Sequence, residues 1–119
     1  MRFMMIMIPN VSEENWTPDR EAIARMGNYN EELTKAGVLL ALDGLQPTAK
    51  GARVSFAGGK PSVTDGPFTE AKELIGGYWL IQARSREEAV EWATRCPANE
   101  GDVIEVRQVY EPSDFREAA

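Results

Sequence analysis

No histidine occurs anywhere in the 119 residues, cysteine occurs once, and the 13 basic residues are outnumbered by 19 acidic ones. Histidine is the side chain whose ordinary pKa lies near neutrality, so Ser-His and Cys-His nucleophilic catalysis in their usual forms are closed. An acid or base must then be a carboxylate, a lysine, a tyrosine or a group beside an arginine. One thiol and no imidazole cannot assemble a tetrahedral zinc site within one chain, although carboxylates can still hold a harder cation. No calcium-loop spacing is present, and neither metal nor cofactor is expected. The lone Cys96 excludes an internal disulfide. A net charge of −6 with no basic cluster opposes a phosphate-tracking surface, so nucleic acid is not an expected partner. The apolar run from Phe3 to Ile8 stops at Pro9, too short for a membrane span and without a small-residue cleavage site. The reading is a soluble, cytoplasmic protein with no membrane partner. Asn10-Val11-Ser12 and Asn15-Trp16-Thr17 then match the glycosylation pattern by chance.

What is present reads as one domain over residues 1–110 with an acidic tail at 111–119. Arg2 to Ile8 is a strand with apolar residues on both faces. Thr17-Pro18-Asp19 offers an N-cap, a proline at the first helical position and an acid at the helix dipole. The helix runs to about Ala36, with Ala22, Met26, Tyr29, Leu33 and Ala36 as its inward stripe and Gly37 at its C-terminal end. Val38 to Leu42 predicts a buried strand ending in an Asp43-Gly44 turn. Arg53 to Phe56 and Ser62 to Thr64 flank Gly58-Gly59 as a hairpin. Gly58-Gly59-Lys60 lacks the spacing of a phosphate loop and is followed by Pro61, so it is a turn. Tyr78 to Ala83 is an aromatic-rich strand. Ser85-Arg86-Glu87-Glu88 is a capping box opening a helix that buries Ala89, Trp92, Ala93 and Cys96 before Pro97. Val103 to Val109 is the last strand, and Tyr110 and Phe115 are candidate anchors for the tail.

The order strand, helix, strand, hairpin insertion, strand, helix, strand is that of an α+β, ferredoxin-like split βαβ domain. Its helices cover one sheet face only, and strands apolar on the second face leave a patch larger than soluble monomers tolerate. Four Leu-sized side chains per subunit on that face would contribute roughly 12–24 kcal/mol across a two-fold pair, against an association cost of about 4–15 kcal/mol. The expected partner is a second copy, met through the sheet face.

The run VTDGPFTEAKELIGGYWLI, with EELTKAGVLLALDGLQP, GARVSFAGGKPSVTDGPF and SREEAVEWATRCPA before IEVRQV, resembles the DGPF branch of the YciI-related (YCII) proteins over nearly the whole chain. The resemblance implies a dimeric α+β barrel, a bacterial cytosolic setting and homodimerisation. In the YciI branch a first-helix histidine and an acid near the second strand share a pocket. Met26 stands in the place of that histidine, so only acids carry over, with Asp65 of the DGPF motif the nearest match. The resemblance also implies a regulatory or accessory role beside an alternative sigma factor as a second possibility.

Asp65 has two readings. Its carboxylate can bond backbone N–H groups two or three residues on and cap the turn into a short helix at Thr69 to Glu73. Alternatively Gly66 and Pro67 hold it at a pocket mouth, where Phe68 desolvates it for acid/base work on a small molecule. Asp43 is a candidate carboxylate partner, or merely a turn residue. Tyr29, Arg53, Phe68 and Tyr78 are the candidate ligand-binding residues, against core packing for the tyrosines and ion pairing for Arg53 and Arg107. The functional choice is between a small enzyme-like homodimer using carboxylate chemistry and a non-catalytic ligand-binding or regulatory module.

Overall fold

The alternation in Arg2–Ile8 makes β1, and in the computed structural model, which describes residues 1–12, 16–68 and 74–116, this strand is central. It is followed by α1 (Arg20–Lys35), β2 (Leu39–Gly44), a single 3-10 turn (Thr48–Lys50), β3 (Ala52–Ala57), β4 (Lys60–Asp65), β5 (Gly77–Gln82), α2 (Arg86–Thr94), β6 (Val103–Gln108) and α3 (Pro112–Arg116). Strands β2-β5-β1-β6 form an antiparallel sheet in that order, and β3 and β4 form a separate two-stranded ribbon. This is the ferredoxin-like α+β arrangement, with the ribbon inserted between the second and third strands of the main sheet.

Register assigns the two faces. Phe3 pairs with Ile81 and Met5 with Trp79, and these four are buried with Tyr29 and Leu33 of α1 and Ala89 of α2 in one core. Both long helices therefore lie on that face. Met4 opposite Leu80 and Ile6 opposite Tyr78 point to the other face, away from α1 and α2. Buried aromatic rings keep their polar atoms satisfied, as they must in an apolar setting. The Tyr29 hydroxyl donates to the Trp92 carbonyl at 2.7 Å, the Trp79 indole donates to Asn30 at 2.7 Å, and the two rings meet edge-on at 5.7 Å.

Several boundaries differ from expectation. The N-cap of α1 is Asp19, whose carboxylate accepts from the Ala22 amide at 2.8 Å, so Thr17 and Pro18 lie outside the helix. Ala36 is the exposed C-cap residue and not part of the buried stripe. Asp43 and Gly44 continue β2 as strand instead of turning, paired with Tyr78 and Gly77. The close approach is possible because Gly77 has no side chain: a Cβ there would stand 2.8 Å from the Asp43 carbonyl oxygen. The tail is not featureless, since α3 occupies its middle and Tyr110 packs on Phe115 at 4.9 Å. The expected helix at Thr69 to Glu73 lies outside the described residues.

Leu33 is fully buried at the centre of the core. Leu33→Ala is expected to cost about 2–5 kcal/mol in unfolding free energy, measured by chemical denaturation.

Candidate functional site

An antiparallel sheet brings the end of β1, the start of β5, the end of β2 and the start of β6 to one edge of the molecule. The N-terminal half of α1 passes over the same end, and between them lies a cleft of about 900 Å3. Its apolar wall includes Met7, Ile23, Met26 and Leu42, with Trp16 and Tyr78 as aromatic flanks. The size falls within the usual range for small-molecule sites.

Local hydrogen bonds hold the rim. The Trp16 indole donates to the Leu45 carbonyl at 2.8 Å, tying the segment before α1 to the end of β2. Asp102 accepts from the backbone amides of Asn10 and Asn99 at 2.8 and 2.9 Å, joining the loop after β1 to the loop before β6. Asp43 accepts from the Tyr78 hydroxyl at 2.8 Å. That hydrogen bond, then the charge of the same carboxylate, raises the Tyr78 pKa and keeps its proton in place. Among the described residues the charged side chains of the lining are Asp19, Asp43 and Asp102 against the cation Arg25, so the cleft is a negative pole. Among the described residues no three His, Cys, Asp or Glu side chains gather closely enough to hold a metal ion.

The candidate residues separate into three places. Tyr78 and Asp43 come together at the cleft. Tyr29 is buried in the core and does not line it. Arg53, Asp65 and Phe68 belong to the ribbon and its root, where the Arg53 guanidinium stacks 3.9 Å from the Phe68 ring centroid. Asp65 is exposed at the end of β4, outside the cleft lining, and no hydrogen bond joins it to Asp43 among the described residues. The helix it is expected to cap, at Thr69 to Glu73, lies outside the described residues. Pro67 has no N–H to offer, and the Phe68 amide donates instead to the Thr48 hydroxyl at 3.2 Å. Sequence reasoning missed Asp19, Asn30 and Asp102 as site residues. Local signals stood at Asp19, in the helix-start run Thr17-Pro18-Asp19, and at Asp102, in the turn-like Asn99-Glu100-Gly101-Asp102.

Met26 lines the cleft with its sulfur 4.0 Å from that of Cys96, and burial, followed by the Asp102 charge, pushes the Cys96 thiol up to about 11. Residues 1–113 match the YCII-related domain, 95% of the chain's length being described by that one family. The chain belongs to the YCII-related family. It is also 32% identical over 75 residues to an uncharacterized protein of Rhizobium meliloti (strain 1021), a match covering 63% of this chain and 60% of that relative. Among the described residues no helix is long and apolar enough to cross a membrane.

A thiol raised from 9.0 to about 11 contributes stability that is intact below pH 9 and lost as pH rises through 11. Melting temperature is expected to fall across that window, and Cys96→Ala to flatten the early part of the fall. Alkylation of Cys96 should be slow at pH 7–8 in the folded protein and fast in denaturant.

Proposed function

We propose that this YCII-related chain is a homodimeric small-molecule-binding protein of the bacterial cytoplasm, of the DGPF type and the dimeric α+β barrel architecture. Its ligand is a compact neutral or cationic molecule with an apolar body. The observation that carries the reading is the cleft itself, an apolar pocket flanked by two aromatic rings whose polar pole is the Asp43–Tyr78 pair. Three carboxylates against one arginine disfavour an anionic ligand, whereas an amine gains from Asp43 and from the faces of Trp16 and Tyr78. Homodimerisation is supported by Met4, Ile6 and Leu80, apolar side chains on the sheet face opposite α1 and α2.

Binding is favoured over turnover because the carboxylates of the cleft already serve as acceptors. Asp19 caps α1, Asp102 ties two loops, and Asp43 holds Tyr78. Proton-transfer catalysis by Asp65 would need that residue at a substrate, and it does not line the cleft.

Calorimetry with aromatic amines and their carboxylate counterparts tests the ligand class. Amines are expected to bind, Asp43→Asn to weaken them about tenfold, and Ala22→Trp to block the cleft. Carboxylates binding as well as amines would sink the assignment. For the dimer, light scattering should give twice the chain mass for the parent, and Leu80→Asp should give single subunits.

A further inference from the structure

The β3–β4 ribbon stands apart from the rest of the chain. All twelve of its residues are exposed, including Phe56 at 81%, Val63 at 69% and Val54 at 52%. Its register nevertheless sorts most side chains by polarity. Val54 opposite Val63 and Phe56 opposite Pro61 share one face, with Ala52 opposite Asp65 at its root end, while Arg53 opposite Thr64, Ser55 opposite Ser62 and Ala57 opposite Lys60 share the other. A half-buried antiparallel strand pair has this alternation. Here the face written for burial is bare.

The ribbon is also built to hold its direction. Gly58 and Gly59, both at positive φ, close it with a two-residue turn of the kind that matches strand twist. At its root the Gly66 amide donates to the Gly51 carbonyl at 3.0 Å, and a Cβ on Gly66 would fall on the Thr48 carbonyl oxygen. With the Phe68–Thr48 hydrogen bond and the Arg53 stack, these contacts fix the arm against the 3-10 turn.

Whole-chain measures agree with such a projection. The radius of gyration is 16.6 Å, against about 13.5 Å for a compact chain of this length. The accessible surface is 8711 Å2, against about 6,400 Å2 expected for its mass. A surplus of about 2,300 Å2 per chain, doubled for a pair, is of the size that obligate homodimers bury.

From these observations we infer that the β3–β4 ribbon is an exchange arm, whose apolar face of Val54, Phe56, Pro61 and Val63 lies against a second copy of this chain. A second copy is the occupant because a fixed apolar arm needs a partner present in equal number at every moment. Charge agrees: residues 50–65 hold Lys50, Arg53 and Lys60 against Asp65 alone, in a chain of net charge −6. The arm is the cationic part of an acidic protein, with Arg53 and Lys60 on the face opposite Val54 and Val63, and its net charge draws it to the acidic remainder of another copy. The inference rests on the proposal that the chain pairs with itself, and it adds the arm to the sheet face as a second zone of contact.

The test uses the purified full chain with a benzophenone amino acid in place of Phe56. Irradiation is expected to give a covalent dimer, with the adduct mapped by mass spectrometry to another subunit. Phe56→Ser with Val63→Ser should raise the dimer dissociation constant at least about tenfold, and Ser62→Ala on the opposite face should leave it unchanged. A dimer by light scattering that gives no intersubunit adduct overturns the arm while leaving the sheet pairing intact. An adduct only within one chain overturns it as well, placing the arm on its own subunit. A single-subunit mass for the parent overturns the pairing and the arm together.

Discussion

One constraint governs the molecule: the central strands β1 and β5 are apolar on both faces, and the two long helices α1 and α2 lie on only one of them. Phe3, Met5, Trp79 and Ile81 lie under α1 and α2 and make the core. Met4, Ile6 and Leu80 alternate with them, and the pleat sends them to the opposite side. No shift of register relieves this, since moving a strand by one residue exchanges one apolar set for the other. Met4, Ile6 and Leu80 on that second face are half-buried, whereas Val54, Phe56 and Val63 of the ribbon are exposed, so the ribbon is the barer of the two apolar surfaces.

The same sheet places the cleft. Four strand ends converge where α1 begins, and the connections there are stitched by side chains rather than by continuous secondary structure. Asp19, Asp43 and Asp102 are first of all acceptors for an amide, a hydroxyl and two loop amides. Their shared location gives the cavity its negative pole. A structural need thus sets the charge of the cavity, because a carboxylate fixed by capping keeps further lone pairs free. With no histidine in the chain, this pole has no partner group that changes charge near neutrality.

The elements were legible in the sequence where local chemistry decides them. Period-two alternation marked β1 and β5, and the Ser85 box opened α2, with Ser85 accepting from the Glu88 amide at 3.1 Å. Legibility failed where a distant backbone decides. Thr17 and Asp19 are both competent caps, and only the docked helix shows that Asp19 is used. Asp43-Gly44 reads as a turn until β5 arrives beside it with Gly77. The Phe68 amide, in reach of Asp65 along the chain, goes instead to Thr48, twenty residues away. The Asp43–Tyr78 pair spans 35 residues and exists only through strand register, which no local pattern encodes.

The Asp-Gly-Pro-Phe corner gains a different meaning from this placement. Its glycine is required because the backbone passes against Thr48, its proline removes an amide that would otherwise need a partner, and its phenylalanine carries Arg53. Each of these acts on the root of the ribbon and none acts on the cleft. The residues most suggestive of a reaction centre when read along the chain are therefore those that aim the arm. A loose hairpin could fold back and bury Phe56 and Val63 on its own subunit. A braced one presents them outward, which makes the rigidity of the corner and the exposure of the ribbon two consequences of one packing arrangement.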